Sequence, residues 1–200
     1  MEDTKVQTLY DHYKDTFMYL REYLRLRDKL FLFALIVITA MFLNITLPTE
    51  STKMVSNLIS SKLGVTISMD KSFFDSMLWF VLVSLVLRYF QTTTYIKRQY
   101  DYLHKLEDSL TVNLGEKLIY REGAGYLDNY PLFLTWAHLL YTIVFPLLLI
   151  SMVFVKIYLE IRGCQQIGLS IILDVIFSAM ILISTGLYLH FVLVKKREVS

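Results

Sequence analysis

The sequence predicts an all-α fold, a four-helix transmembrane protein with a cytoplasmic N-terminal helix and a long cytoplasmic extension of its second span. Three observations lead there. The chain of 200 residues is 55% hydrophobic yet 19% charged. Its apolar residues fall in four blocks, 30–47, 73–90, 132–158 and 169–194, each long enough to cross roughly 30 Å of hydrocarbon. The polar segments between the blocks carry nearly all the charge, and that charge is asymmetric. Lys and Arg number six in residues 1–29, six in 88–121 and three in the tail, against three in 48–72 and two around the third connection. Placing the arm, the middle segment and the tail inside gives fifteen against five, so the positive-inside rule expects both termini in the cytoplasm. An even number of spans requires the same.

The elements follow in order. Residues 1–28 read as an amphipathic helix: Val6, Tyr10, Tyr13, Phe17, Leu20 and Leu24 recur at spacings of 4 and 3, a heptad seam. Acidic residues gather early (Glu2, Asp3, Asp11, Asp15) and basic ones late (Arg21, Arg25, Arg27), which suits the helix dipole and anionic headgroups. Such a helix either lies on the membrane or on its own neighbours, or it packs on a partner or another copy. The first apolar block, following this charged stretch with no small-residue cleavage site, is expected to be a retained span rather than a signal peptide.

The first span, 29–47, stops at Pro48. The outer loop, 48–72, carries Met54, Val55, Leu58, Ile59 and Leu63 at helical spacing with Gly64 as a stop, hence a short amphipathic helix, followed by 65–68 in extended form. The second span is 73–94, and no Gly or Pro occurs from Lys71 through Leu114, so the helix is expected to run on into the cytoplasm, to about Tyr120. Leu103, Leu106 and Leu110 lie on its apolar side. A lone helix with a narrow leucine stripe is not stable in water; it needs the N-terminal arm, another copy or a partner. The rest of the cytoplasmic segment, 95–131, breaks at Arg121–Pro131, where Gly123 and Gly125 end the helix. The third span, 132–158, contains Pro146 and is expected to kink there. A short outer loop, 159–168, leads to the fourth span, 169–194, and a basic tail, 195–200.

Polar residues inside spans are costly and default to functional hypotheses. Asp75 and Lys156 lie near outer helix ends and Arg88 and His190 near inner ends, where snorkelling to water accounts for them. Asn44 can bond to a neighbouring helix. Asp174 and His138 are deeper. They enter from opposite faces, so Lys156 is the partner expected for Asp174. An ion or proton path through Asp174 is the functional alternative to a structural bond. Ser178, Ala179, Ser184, Thr185 and Gly186 let the fourth span approach another helix closely.

The sequence offers no chemistry. It has no phosphate loop, no Cys/His cluster and no nucleophile with a base at motif spacing. The single Cys164 forms no internal disulfide. The expectation is no enzyme, no cofactor, no metal and no direct nucleic-acid binding. A transporter fits poorly, because the halves show no repeat.

In outline the chain resembles the KwaA family, the membrane subunits of bacterial Kiwa anti-phage systems. The likeness covers the whole chain and consists of its length, four spans, cytoplasmic arms and lack of a catalytic motif. The stretch Tyr120–Pro131 reads like a signature of a bacterial tetraspan family. No site residue is carried over. The resemblance implies a homo-oligomer in the bacterial inner membrane, a tetramer being one admissible copy number. It also implies a scaffold or sensor that recruits a soluble cytoplasmic partner, KwaB, during infection. A pore-forming or membrane-disrupting effector is the alternative.

Overall fold

A computed structural model describes residues 2–64, 71–114, 132–163 and 168–197. All regular structure among them is helical. Helix α1 runs from Glu2 to Thr46, α2 from Pro48 to Leu63, α3 from Lys71 to Leu114. Helix α4, Leu132–Leu139, passes through a π-helical turn, Leu140–Val144, into α5, Phe145–Gly163; α6 is Leu169–Arg197. Four stretches are long and apolar enough to cross a membrane: Thr4–Thr46, Lys71–Leu114, Trp136–Arg162 and Leu169–Leu193. The protein is thus an all-α, multi-pass membrane protein.

Local chemistry accounts for the boundaries. No Gly or Pro interrupts the chain before Pro48, so the amphipathic arm and the first span form one helix of 45 residues. At 1.5 Å per residue that is about 68 Å, twice the hydrocarbon thickness, so half of it lies outside the apolar layer. The expected division into a helix over 1–28 and a span over 29–47 marks a change of environment, not a break in the backbone. Pro48 stands at the start of α2, where its missing N–H costs nothing. Gly64 caps α2 in the left-handed region, φ 68°, and its N–H donates to the Ser60 carbonyl. The π turn lies immediately before Pro146. Proline has no N–H and its ring crowds the carbonyl four residues back, and a widened turn is one way a helix absorbs that. The fourth helix continues to Arg197, through the basic tail rather than ending at 194. The extension beyond Leu114 to Tyr120, the extended reading of 65–68, the break at Arg121–Pro131, the Tyr120–Pro131 signature and Cys164 lie outside the described residues.

The chain divides into two compact units. One comprises residues 1–29 and 91–142, the other 30–90 and 143–200. In the first unit, Leu20 of α1 packs with Ile96 and Leu103 of α3, and Tyr13, Phe17, Tyr23, Leu24 and Tyr100 close around them. Tyr23 and Tyr95 rings lie 4.4 Å apart, and the Tyr13 hydroxyl donates to Glu107 at 3.3 Å. The heptad seam is therefore filled by the chain's own α3. Leu106 and Leu110 are buried as well. Val6 is half-buried, and Tyr10 stays 46% exposed.

In the second unit α3 contributes the most to the core: Phe74, Leu78, Trp79, Leu82, Val83, Val86, Tyr89 and Phe90 are all buried. Phe31, Tyr89 and Phe145 form an edge-on aromatic cluster, and Phe90 stacks on Tyr188 at 4.4 Å. Helices α5 and α6 pack along each other, as the short connection between them requires. Half of the most apolar stretch of the second span is buried inside the protein, against 22% of the fourth. The remainder is apolar surface for lipid.

Candidate functional site

The second unit holds a buried ionic cluster at the end of the spans next to α2. Its residues come from five helices. Asn44 lies in the last turn of α1, Ser51 in the first turn of α2, and Asp75, Ser76 and Trp79 near the start of α3. Lys156 and Glu160 lie near the end of α5, and Asp174 lies near the start of α6. Asn44, Asp75, Lys156 and Asp174 are all buried, Lys156 to within 1% of complete.

Lys156 is the hub. Its Nζ lies 2.7 Å from Asp75 Oδ1 and 2.7 Å from Glu160 Oε1. Asn44 Nδ2 donates to the same Asp75 oxygen at 2.8 Å, and the Ser51 hydroxyl donates to Asn44 Oδ1 at 2.7 Å. Trp79 Nε1 donates to Glu160 at 3.1 Å. The α2 helix is thereby tied through Ser51 and Asn44 to the α3–α5 ion pair. Helical spacing makes this possible: Asp75 and Trp79 share one face of α3, Lys156 and Glu160 one face of α5. A charge in hydrocarbon persists only when paired and hydrogen-bonded, and Asp75, Lys156 and Glu160 each have such a partner.

Asp174 is different. It sits in the field of the Glu160, Asp75 and Lys156 charges. Yet Asp174 Oδ1 and Ser76 Oγ are both fully buried and neither completes a hydrogen bond among the described residues.

Two expectations need correction. Asp75 and Lys156 do not snorkel. Depth along a helix places them near water, but both are buried, and the ion pairs replace hydration. Nor is Asp174 the partner of Lys156: the ammonium is committed to Asp75 and to Glu160, which lies in α5 and not in a connecting loop beginning at 159. Asn44 does bond to a neighbouring helix. Arg88 and His190 are exposed. His138 belongs to the first unit, where the Thr142 hydroxyl lies 3.4 Å from its Nε2, and the Arg27 guanidinium lies 4.8 Å from the Tyr141 ring centre. On α6, Ser178 and Thr185 are buried while Ala179 and Gly186 face outward. The Ser178, Ser184 and Thr185 hydroxyls donate to carbonyls of their own helix, so they bridge nothing. Ser51, Ser76, Trp79 and Glu160 are the members the sequence reading missed. The i,i+4 pairs Asp75/Trp79 and Lys156/Glu160 were the available signal.

Comparison with protein-family models, with curated proteins and with solved structures finds no match to this chain. The cluster is therefore read on its chemistry. Among the described residues no three His, Cys, Asp or Glu side chains are placed to hold a metal ion. The arrangement can hold helices together, and it can store and respond to charge.

Proposed function

We propose that the chain is a homo-oligomeric scaffold or sensor of the bacterial inner membrane, with both termini in the cytoplasm, that recruits a soluble cytoplasmic protein. One observation carries the reading. In the first unit, one side of α3 buries Ile96, Leu103, Leu106 and Leu110, with Ile96 and Leu103 packed on Leu20 of α1. A flanking stripe presents Gln91, Tyr95, Arg98, Tyr102 and Lys105, all exposed and spaced 4, 3, 4 and 3 residues apart. Exposed tyrosines alternating with Arg and Lys along a helical stripe are the composition of a docking surface. Its basic character suits an acidic partner and raises the rate of encounter. The α1 seam is packed inside the chain, so the docking surface is assigned to the exposed stripe of α3 that borders this contact, where Tyr95 also meets Tyr23.

The outline resemblance to the KwaA family supports the same role in anti-phage defence, with KwaB as the kind of partner recruited. The test is co-expression with a KwaB-type soluble protein, followed by membrane fractionation. Wild-type chain is expected to bring the partner to the membrane fraction. Arg98→Glu with Lys105→Glu is expected to release it, with the membrane protein's own oligomeric mass unchanged. Recruitment that survives the double charge reversal overturns the reading.

A pore-forming effector is the second reading, favoured by the buried, unpaired oxygen of Asp174. It predicts ion flux in liposomes that falls with Asp174→Asn. Undiminished flux in that variant excludes this route.

A further inference from the structure

The exposed face of α1 changes character once along its length. Arg21, Arg25 and Lys29 are exposed and follow one another four residues apart. Leu32, Ile36 and Leu43 come next, 57%, 55% and 49% exposed. At about 100° per residue all six fall within about 80° of one another around the helix axis. They form one stripe, basic over about 12 Å and apolar beyond it. No acidic residue occurs between Lys29 and Thr46. Thr39, also exposed, spends its hydroxyl on the Leu35 carbonyl of its own helix at 2.8 Å, so the apolar part presents no unmet donor. Two carboxylates border the basic part. Asp28 is held by Arg27 at 2.8 Å, and the Arg27 guanidinium lies 4.8 Å from the Tyr141 ring centre. Glu22 is exposed at the stripe's edge. Among the described residues Arg21, Arg25 and Lys29 have no ion pair; Arg21 has only the Phe17 ring, 5.9 Å from its guanidinium.

We propose that this stripe of α1 is a binding site for an anionic phospholipid. Arg21, Arg25 and Lys29 take the headgroup, and Leu32, Ile36 and Leu43 take the acyl chains. The order along the helix selects the ligand: three unpaired cations, then hydrocarbon, match an amphiphile whose charged end is negative. A zwitterionic phospholipid fits the apolar part equally but brings an ammonium of its own to the three cations. A soluble acidic protein can reach the basic part only, because the stripe continues into the first span. A second copy related by a two-fold axis along the membrane normal would set the same three cations against one another, which like charges oppose. Arg27, turned to Asp28 and Tyr141, stands outside the site. The inference rests on neither functional reading above.

The experiment uses the full chain, purified in detergent and weighed intact by native mass spectrometry. It is titrated with phosphatidylglycerol and, separately, with phosphatidylcholine of the same chain length. The first lipid bound is expected to favour phosphatidylglycerol by about five-fold or more, and the preference is expected to shrink as ammonium acetate is raised, because salt screens exposed charges. The triple variant Arg21→Gln, Arg25→Gln, Lys29→Gln is expected to bring the two affinities together. A second triple variant, Lys195→Gln, Lys196→Gln, Arg197→Gln, removes the same charge from the tail and is expected to keep the preference. Should the first triple variant not fold, Arg25→Gln and Lys29→Gln singly decide by the same ratio. Equal wild-type affinity for the two lipids overturns the proposal. So does a preference retained without the three α1 cations, or one lost equally with the tail cations, which would assign it to net charge. A lower oligomeric mass of the α1 variant in lipid-free detergent overturns it as well, since the face would then hold a second copy.

Discussion

At the residue scale the decisive side chain is Lys156, which carries the positive charge for two buried carboxylates. Removing one partner of a buried pair strands the other and costs about 3–5 kcal/mol, while removing both is often far cheaper. Lys156→Met is therefore expected to destabilise the protein by about that amount. Adding Asp75→Asn to it is expected to restore part of the loss, because one stranded carboxylate disappears. Denaturation followed by Trp79 emission measures both, and a double mutant equal to the sum of its singles would show that the pair is not coupled. The sequence announced that Lys156, Asp75 and Asp174 were unusual, since charges in apolar segments are rare. It did not announce which met which. Pairing depends on the rotation of α5 and α6 about their axes and on α2 folding over the end of the spans, and neither is a property of a single helix. Position along a span is legible from hydropathy; burial by neighbours is not.

At the scale of elements, the contact between α1 and α3 shows what periodicity can and cannot say. The heptad spacing of Val6–Leu24 announced an apolar seam, and the absence of Gly and Pro announced a long α3. Neither pattern says whether the seam is covered by the same chain or by another. Leu20 and Leu103 settle it, being 1% and 0% exposed against each other. Leu20→Ala and Leu103→Ala are each expected to cost about 2–5 kcal/mol in that unit. Tyr10→Ala, half in water, is expected to cost under about 0.5 kcal/mol. Amide exchange over residues 1–29 reads the difference: faster exchange for the two leucine variants, unchanged exchange for the tyrosine variant. The end of α2 offers a cleaner case. A Cβ on Gly64 would meet nothing within 4 Å, so Gly64→Ala carries only the cost of a left-handed backbone, about 1–2 kcal/mol. It is expected to fray the last turn of α2 while the ionic cluster, anchored at Ser51 at the other end of that helix, keeps its Trp79 signal. Simultaneous loss of both would mean that α2 unfolds as one piece.

At the scale of the whole molecule, four spans leave two orientations, and the charge distribution chooses between them. Fifteen of twenty Lys and Arg residues fall in the sequence segments 1–29, 88–121 and 195–197. The other five are Lys53, Lys62 and Lys71, in and after α2, and Lys156 and Arg162 in the last part of α5. Basic residues near span ends resist translocation far more than acidic ones promote it, so a three-fold excess is the ground on which we propose that both arms lie inside. The buried cluster fits this orientation, since a network of paired charges at the α2 end needs no basic flank to hold it near headgroups. Two exposed positions test it in a Cys164→Ser background. Asn57→Cys on α2 is expected to react with a membrane-impermeant maleimide in intact cells. Asp11→Cys on the arm is expected to react only after permeabilisation. The reverse pattern would invert the protein and place the Tyr95–Lys105 stripe outside the cell, where no cytoplasmic partner could reach it. Labelling of both sites in intact cells would point to mixed insertion, and the charge excess would then be too weak to orient four spans.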